Sequence, residues 1–284
     1  MIKVLVTGAS GQLGSEIREV SSRFRDQIEI VYLKREDLSL DDESSVSAFL
    51  KENQIQTIIN AAAYTAVDLA EKEIESAELG NALIPEVLAK VCAKLNLRLI
   101  HISTDFVFNG ESNRPLKETE KISPVSIYGK SKAKGEELVL AHLSNAVVIR
   151  TSWLYSKFGN NFMKTMMRLS KERKELRVIY DQIGTPTWAR DLAVVCLCVV
   201  VNPAVSGIYH YSNEGVASWY DFAFDIVQAV NPSVKVFPIE TKDYPTPARR
   251  PAYSVLDKSK IKEHLKIEIP HWRKSLELCL KEIN

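Results

Sequence analysis

The chain has 284 residues, 45% apolar and 26% charged, with 11 glycines, 11 prolines, and 37 Lys and Arg against 36 Asp and Glu. That length suits one large domain or two closely joined ones, and the composition excludes disordered, collagen-like and low-complexity chains. A formal charge of +1 gives no reason to expect a nucleic-acid partner, and no apolar stretch reaches the ~18 residues of a membrane span.

Ile2–Val6 is an apolar run of strand length, and Leu13, Ile17 and Val20 then recur at helical spacing. Ile28–Leu33 reads as a second strand, Val46, Phe49 and Leu50 as a helix, and Thr57–Asn60 as a third strand. A long helix is expected from about Glu75 to Leu95, kinked or bounded at Pro85. Leu97–Ser103 is the next strand, followed by a polar loop, a helix over Ser126–His142 and the strand Val147–Thr151. Strands apolar on both faces and separated by helices imply a Rossmann-type, doubly wound parallel sheet in an α/β fold.

Beyond Arg150 the rhythm loosens. Phe162–Glu175, Asp191–Val201 and Tyr220–Val230 read as helices, Arg177–Tyr180 and Gly207–Tyr211 as strands, and the proline-rich Tyr244–Tyr253 as irregular. The expected division is a dinucleotide-binding domain over 1–150 and a smaller C-terminal substrate-binding lobe over 151–284. A segment of about 177–211 is expected to return to the first domain. Cys92, Cys196, Cys198 and Cys279 lack a CxxC spacing, so reduced thiols, no metal site and a cytoplasmic setting are expected.

Gly8, Ser10, Gly11, Gln12, Leu13 and Gly14 form a GxxGxxG turn between the first strand and first helix. Glycines there let the backbone turn sharply and approach a pyrophosphate, which the helix N-terminus then receives. Lys34 and Arg35 end the second strand where an acidic residue would favour NADH. Their charge suits a 2′-phosphate, so NADPH is the expected cofactor, with NADH the alternative. Asp37 and Leu38 either flank the adenine or form a plain turn.

Tyr128 and Lys132 are spaced to share one face of a helix. A neighbouring ammonium lowers a phenol's pKa and makes it a usable acid. Thr104, at the C-terminal end of its strand, can donate to a substrate carbonyl as charge develops, with Ser103 behind it. Asp105 either orients the loop or meets a substrate hydroxyl. His101 reads as a packing residue, Trp188, Trp219 and Trp272 as core or lobe packing, and Arg168 as a solvent-face residue. Arg249 and Arg250 suit the diphosphate of a nucleotide.

Together these residues resemble the extended short-chain dehydrogenase/reductase family, and within it the branch that reduces dTDP-4-dehydrorhamnose. The resemblance covers nearly the whole chain. It rests most on Asn60–Asp68 (NAAAYTAVD), Ser103-Thr104-Asp105, Arg150–Trp153 (RTSW) and Asp181–Thr187 (DQIGTPT). It implies reduction by NADPH of the 4-keto group of dTDP-4-dehydro-β-L-rhamnose to dTDP-β-L-rhamnose, with Thr104, Tyr128 and Lys132 catalytic. It also implies cofactor contacts at Ala61, Ala62, Ala63 and Tyr64, and a sugar contact at Trp153. A homodimer is the expected assembly.

Gly80-Asn81 departs from that pattern and puts the local helix packing in question. Sugar-nucleotide dehydratases need Thr-Asp-Glu where this chain has Thr104-Asp105-Phe106, so elimination is disfavoured. Another sugar-nucleotide reductase or an epimerase, which recycles its cofactor, is the nearest alternative. A non-catalytic subunit resembling the regulatory partner of methionine adenosyltransferase is the alternative from a different class.

Overall fold

A computed structural model describes residues 1–283. The first half alternates strand and helix: β1 (Ile2–Thr7), α1 (Gln12–Val20), β2 (Ile28–Tyr32), α2 (Glu43–Glu52) and β3 (Thr57–Asn60). The short α3 (Val67–Ala70) and α4 (Ile74–Glu78) follow, then α5 (Ile84–Leu95), β4 (Arg98–Thr104), α6 (Ile127–His142) and β5 (Val147–Thr151). The second half adds β6 (Leu154–Tyr155), α7 (Phe162–Glu172), β7 (Glu175–Ile179), β8 (Ile183–Gly184), β9 (Thr187–Trp188) and α8 (Ala189–Val201). It ends with β10 (Gly207–His210), β11 (Ala217–Ser218), α9 (Trp219–Val230), β12 (Lys235–Ile239), α10 (Ser259–Leu265) and α11 (Trp272–Lys281).

Six of these strands make one sheet in the order β10-β5-β4-β3-β1-β2, with every pairing parallel. Because side chains alternate across a strand, Val4, Val6, Ile59, Ile100, Val147 and Ile149 pack to one face under α1 and α8. Leu5, Ile58, Leu99 and Val148 pack to the other under α2, α5 and α6. Both faces are therefore covered, as a wholly parallel sheet requires. The chain reverses its winding between β1 and β3, and ligands of such sheets collect at the carboxyl ends of the strands beside that point.

Two features sharpen the expectations. The helix over 75–95 is interrupted not at Pro85 itself but by a π-helical turn over Leu79–Leu83 just ahead of it. Proline has no N–H for the carbonyl four residues earlier, here that of Asn81. In the second half, α8 packs on α1 and β10 joins the main sheet beside β5, whereas β7 pairs with β12 in a separate small layer. The segment lying on the first domain therefore begins near Ala189 rather than 177. Around β7 and β12, α7, α9 and α11 enclose a second core of Tyr155, Met163, Phe222, Ile226 and Trp272.

Among the described residues no helix is long and apolar enough to cross a membrane. All four cysteines are free thiols, and burial pushes those of Cys92 and Cys196 well above the ordinary range.

Candidate active site

The glycine turn sits at the reversal of winding. Gly8 has φ +65°, and a Cβ there would lie 2.7 Å from the amide nitrogen of Ala62. The turn after β1 and the turn after β3 therefore touch backbone to backbone, which only glycine permits. Gly11 begins α1 with no side-chain cap and no acidic residue in the first turn, so that helix end is open to an anion. This cradle, with Ala61, Ala62 and the exposed Ser10, Gly11 and Ala63 around it, fits a dinucleotide pyrophosphate.

The other expected cofactor residues divide. Ala9 donates its N–H to the carbonyl of Leu33, which brings the exposed Lys34 and Arg35 beside the glycine turn. Asp37 instead accepts from the Lys34 amide at 2.7 Å as a turn aspartate, and Leu38 packs into the core under α2. Leu13 is likewise a buried core residue. Gln12 accepts from Asn161 at 3.0 Å and ties α1 to the second lobe. Tyr64 turns its phenol to Glu73 at 2.8 Å, while its backbone N–H and carbonyl are both held by the Asn81 side chain. Asn81 also reaches Ser131 on α6, so the unusual Gly80-Asn81 pair organises the loop against α6.

Tyr128 lies in the first turn of α6. Ser126 caps that helix by accepting from Gly129 at 3.1 Å, and Glu71 accepts from the Ile127 amide. A Cβ on Gly129 would lie 2.3 Å from the Phe106 carbonyl oxygen, so glycine lets α6 begin hard against the turn after β4. That approach sets the Tyr128 phenol beside Thr104, whose hydroxyl pulls the phenol's pKa down. Thr104 donates to Asp105 at 3.1 Å and accepts from the Phe106 amide. Phe106 meets Tyr128 edge-on, ring centres 5.5 Å apart, where a dehydratase would need its acid.

Lys132 is buried one turn along α6 from Tyr128. It is 2% exposed and donates to the Ile102 carbonyl at 2.6 Å. Burial and the Asp105 carboxylate push the Tyr128 phenol up to about 12, against the pull of Thr104. Burial pulls Lys132 down to about 8, with Glu136 acting the other way. In the free protein the phenol is firmly protonated, as a proton donor must be. Ser103 is not behind Thr104 as a second donor; its hydroxyl goes to Glu136 at 2.5 Å.

Across the cleft, Asp105, Phe106, Trp153, Gln182, Trp219 and Arg250 line a small cavity. Asp105 is buried, and its Oδ2 has no hydrogen-bond partner. Burial raises its carboxyl to about 6 against the Ser254 and Thr104 hydroxyls. An unpaired buried acceptor on a residue that lines a cavity suits a ligand hydroxyl. Trp153 has φ +46° and stacks on Trp219, centroids 3.6 Å apart and 8° from parallel. Trp219 is thus part of the site wall, a role its sequence context does not reveal.

The arginine pair splits as well. Arg250 is bound by the Asp68 carboxylate through two bonds of 3.0 and 2.8 Å and also donates to Thr246 and Ala248. Arg249 is exposed. Arg168 pairs with Glu172 on the solvent face. Among the described residues no cluster of three or more His, Cys, Asp or Glu could hold a metal.

A Cβ on Gly184 would lie 2.7–2.9 Å from the Trp153 ring. Gly184→Ala is therefore expected to displace that indole and change tryptophan fluorescence. An unaltered spectrum would show that the Trp153 ring does not rest on Gly184.

The chain matches the family model described as the RmlD substrate binding domain over residues 2–284. It is 40% identical to the spore coat polysaccharide biosynthesis protein SpsK of Bacillus subtilis over 283 residues, 99% of this chain and 98% of the relative. It is 41% identical to a dTDP-4-dehydrorhamnose reductase of Aggregatibacter actinomycetemcomitans over 290 residues, 97% of each chain. Its fold superposes with TM-score 0.94, at 37% identity, on a dTDP-4-dehydrorhamnose reductase of Bacillus anthracis solved in complex with NADP, covering 99% of this chain and 100% of that one.

Proposed function

Since the chain belongs to the RmlD family, we propose that it is a dTDP-4-dehydrorhamnose reductase, converting dTDP-4-dehydro-β-L-rhamnose to dTDP-β-L-rhamnose with NADPH. The observation that carries this reading is the close approach of the start of α6 at Gly129 to the turn after β4, which gathers Thr104 at the end of β4 with Tyr128 and, one turn further along the same helix, Lys132.

Gly8, Ser10, Gly11 and the α1 N-terminus would hold the pyrophosphate, Ala61, Ala62 and Ala63 would border the cofactor, and Lys34 and Arg35 would meet a 2′-phosphate. When bound, NADPH supplies hydride to the ketone carbon. Tyr128 gives its proton to the ketone oxygen. The Thr104 hydroxyl hydrogen, spent on Asp105 in the free protein, turns to the same oxygen and stabilises its developing charge. Lys132, as an ammonium, holds the cofactor ribose and favours the phenolate left on Tyr128. Asp105 accepts from a sugar hydroxyl, and Trp153 covers the apolar face and methyl of the deoxyhexose. Arg249, free at the surface, serves the diphosphate, whereas Arg250 fixes the 244–253 loop to α3 through Asp68. Four unpaired thiols suit a cytoplasmic enzyme.

The test is NADPH oxidation with dTDP-4-dehydrorhamnose. One NADPH is expected to be consumed per sugar reduced, with kcat/KM falling as pH rises through about 8, where Lys132 loses its charge. Epimerisation with cofactor recycling would give product without net oxidation. No turnover at all would favour a non-catalytic subunit.

A further inference from the structure

Lys132 is reached by a buried chain of hydrogen bonds that begins three strands away. The Ala62 amide donates to the Thr7 hydroxyl at 3.3 Å, and Thr7 donates to Asn60 Oδ1 at 2.7 Å. Thr7 thus uses its oxygen as acceptor and its hydrogen as donor, which fixes the Asn60 amide with its oxygen toward β1. The Asn60 Nδ2 then faces His101 Nδ1 at 3.0 Å and makes that ring nitrogen an acceptor. His101 is fully buried, and burial together with the neighbouring Lys132 keeps it neutral. Its one proton must therefore sit on Nε2, 3.5 Å from Lys132 Nζ.

An ammonium there meets an N–H with no lone pair to offer it, whereas a neutral amine accepts from it. The Ile102 carbonyl, 2.6 Å away, takes a hydrogen from either form. We propose that His101 is a positioning residue for Lys132: its tautomer, locked from β1 and β3, aims an N–H at Nζ, fixing where the amine stands and easing loss of its proton. This rests on the reading of Lys132 as part of the reacting trio.

The other ionisable groups near Lys132 do not duplicate this effect. Glu136, one turn along α6, is bound by Arg150 from β5 and by Ser103. Tyr128 on α6 and Asp105 after β4 engage Thr104. From the helices packed against α6, Asp68 of α3 pairs with Arg250, Glu75 and Glu78 of α4 are exposed, and Glu86 of α5 pairs with Lys90 and His142. Among the described residues only His101 presents an N–H to Nζ.

Two substitutions separate the parts of the histidine. Asn at 101 keeps an acceptor for Asn60 at the Nδ1 position but cannot reach Lys132; Gln extends an N–H to where Nε2 stood. His101→Asn is expected to lower kcat about 10- to 100-fold with KM for the sugar nucleotide little changed. It should also move the alkaline fall of kcat/KM to higher pH, and His101→Gln, which regains a group at the Nε2 position but loses the Asn60 contact, should restore part of the lost kcat. A merely structural role would lower Tm and leave the pH profile in place, and that result overturns the proposal.

Long-range proton–nitrogen NMR of 15N-histidine-labelled protein, without cofactor or substrate, reads the tautomer directly. Protonated Nε2 and bare Nδ1 throughout about pH 5–8 is the expected result, and a proton on Nδ1 would overturn it. Because that spectrum needs no turnover, it tests the tautomer independently of the NADPH assay, and it does so even if an Asn variant fails to fold.

Discussion

Tyr128→Phe is expected to reduce kcat for NADPH oxidation by about 10²–10⁴-fold while leaving KM for the sugar nucleotide within a few-fold. The substitution removes one oxygen from a ring whose packing edge-on to Phe106 is otherwise preserved, so the loss reports on the proton and not on the wall of the site. Thr104 remains in the variant, and its hydroxyl can still donate to the ketone oxygen, which is why a residual rate is expected. Thr104→Val should give the complementary result: a smaller loss, with the proton source intact and the oxyanion less well held. The two losses should not add, because both groups act on one oxygen in one transition state. Equal rates for wild type and Tyr128→Phe would take the proton donor away from residue 128 and leave the reductase reading without its mechanism.

The parts of this site that are legible in the sequence are those set by local pattern. Gly8, Tyr128 and Thr104 each lie at a junction that periodicity alone can place: the end of β1, the start of α6, the end of β4. Partnerships across the chain are not legible in that way. Asp68 and Arg250 are 182 residues apart, and nothing near either one says that its charge is taken. The direction of Lys132 depended on a carbonyl of β4, and a Tyr-x-x-x-Lys spacing says only that two residues share a helix face. Trp219 begins α9 as an ordinary amphipathic residue, and its stack on Trp153 follows from β11, just ahead of it, pairing with β8, whose Gly184 lies against the Trp153 ring. His101 looks like packing on a buried strand because it is buried. Its two neighbours, Asn60 on β3 and Lys132 on α6, with Thr7 of β1 fixing Asn60, are what give it chemistry.

Glu136→Ala is expected to destabilise the protein by about 3–5 kcal/mol, a drop in Tm on the order of 10 °C. Glu136 and Arg150 are each 2% exposed, and the guanidinium holds the carboxylate through Nε and Nη2 at 2.6–3.1 Å. Removing the carboxylate strands a cation in the core beside His210, which is itself neutral, its pKa pulled down to about 3 by burial and by Arg150. It also leaves the Ser103 hydroxyl without its acceptor. If the unpaired charge is the main cost, Glu136→Leu combined with Arg150→Met should recover most of the lost stability, since an apolar pair of similar volume replaces an expensive desolvated one.

The double variant also separates packing from electrostatics at the site. Glu136 supports the Lys132 ammonium, so its loss lowers the lysine's pKa and should move the alkaline fall of kcat/KM below about 8, opposite to the shift expected for His101→Asn. A stable double variant with its alkaline limb moved down would show that the ion pair beneath β4 sets the charge of Lys132 as well as holding α6 to the sheet. A double variant as unstable as Glu136→Ala would instead assign the cost to the shape of the pocket and the orphaned Ser103 hydroxyl.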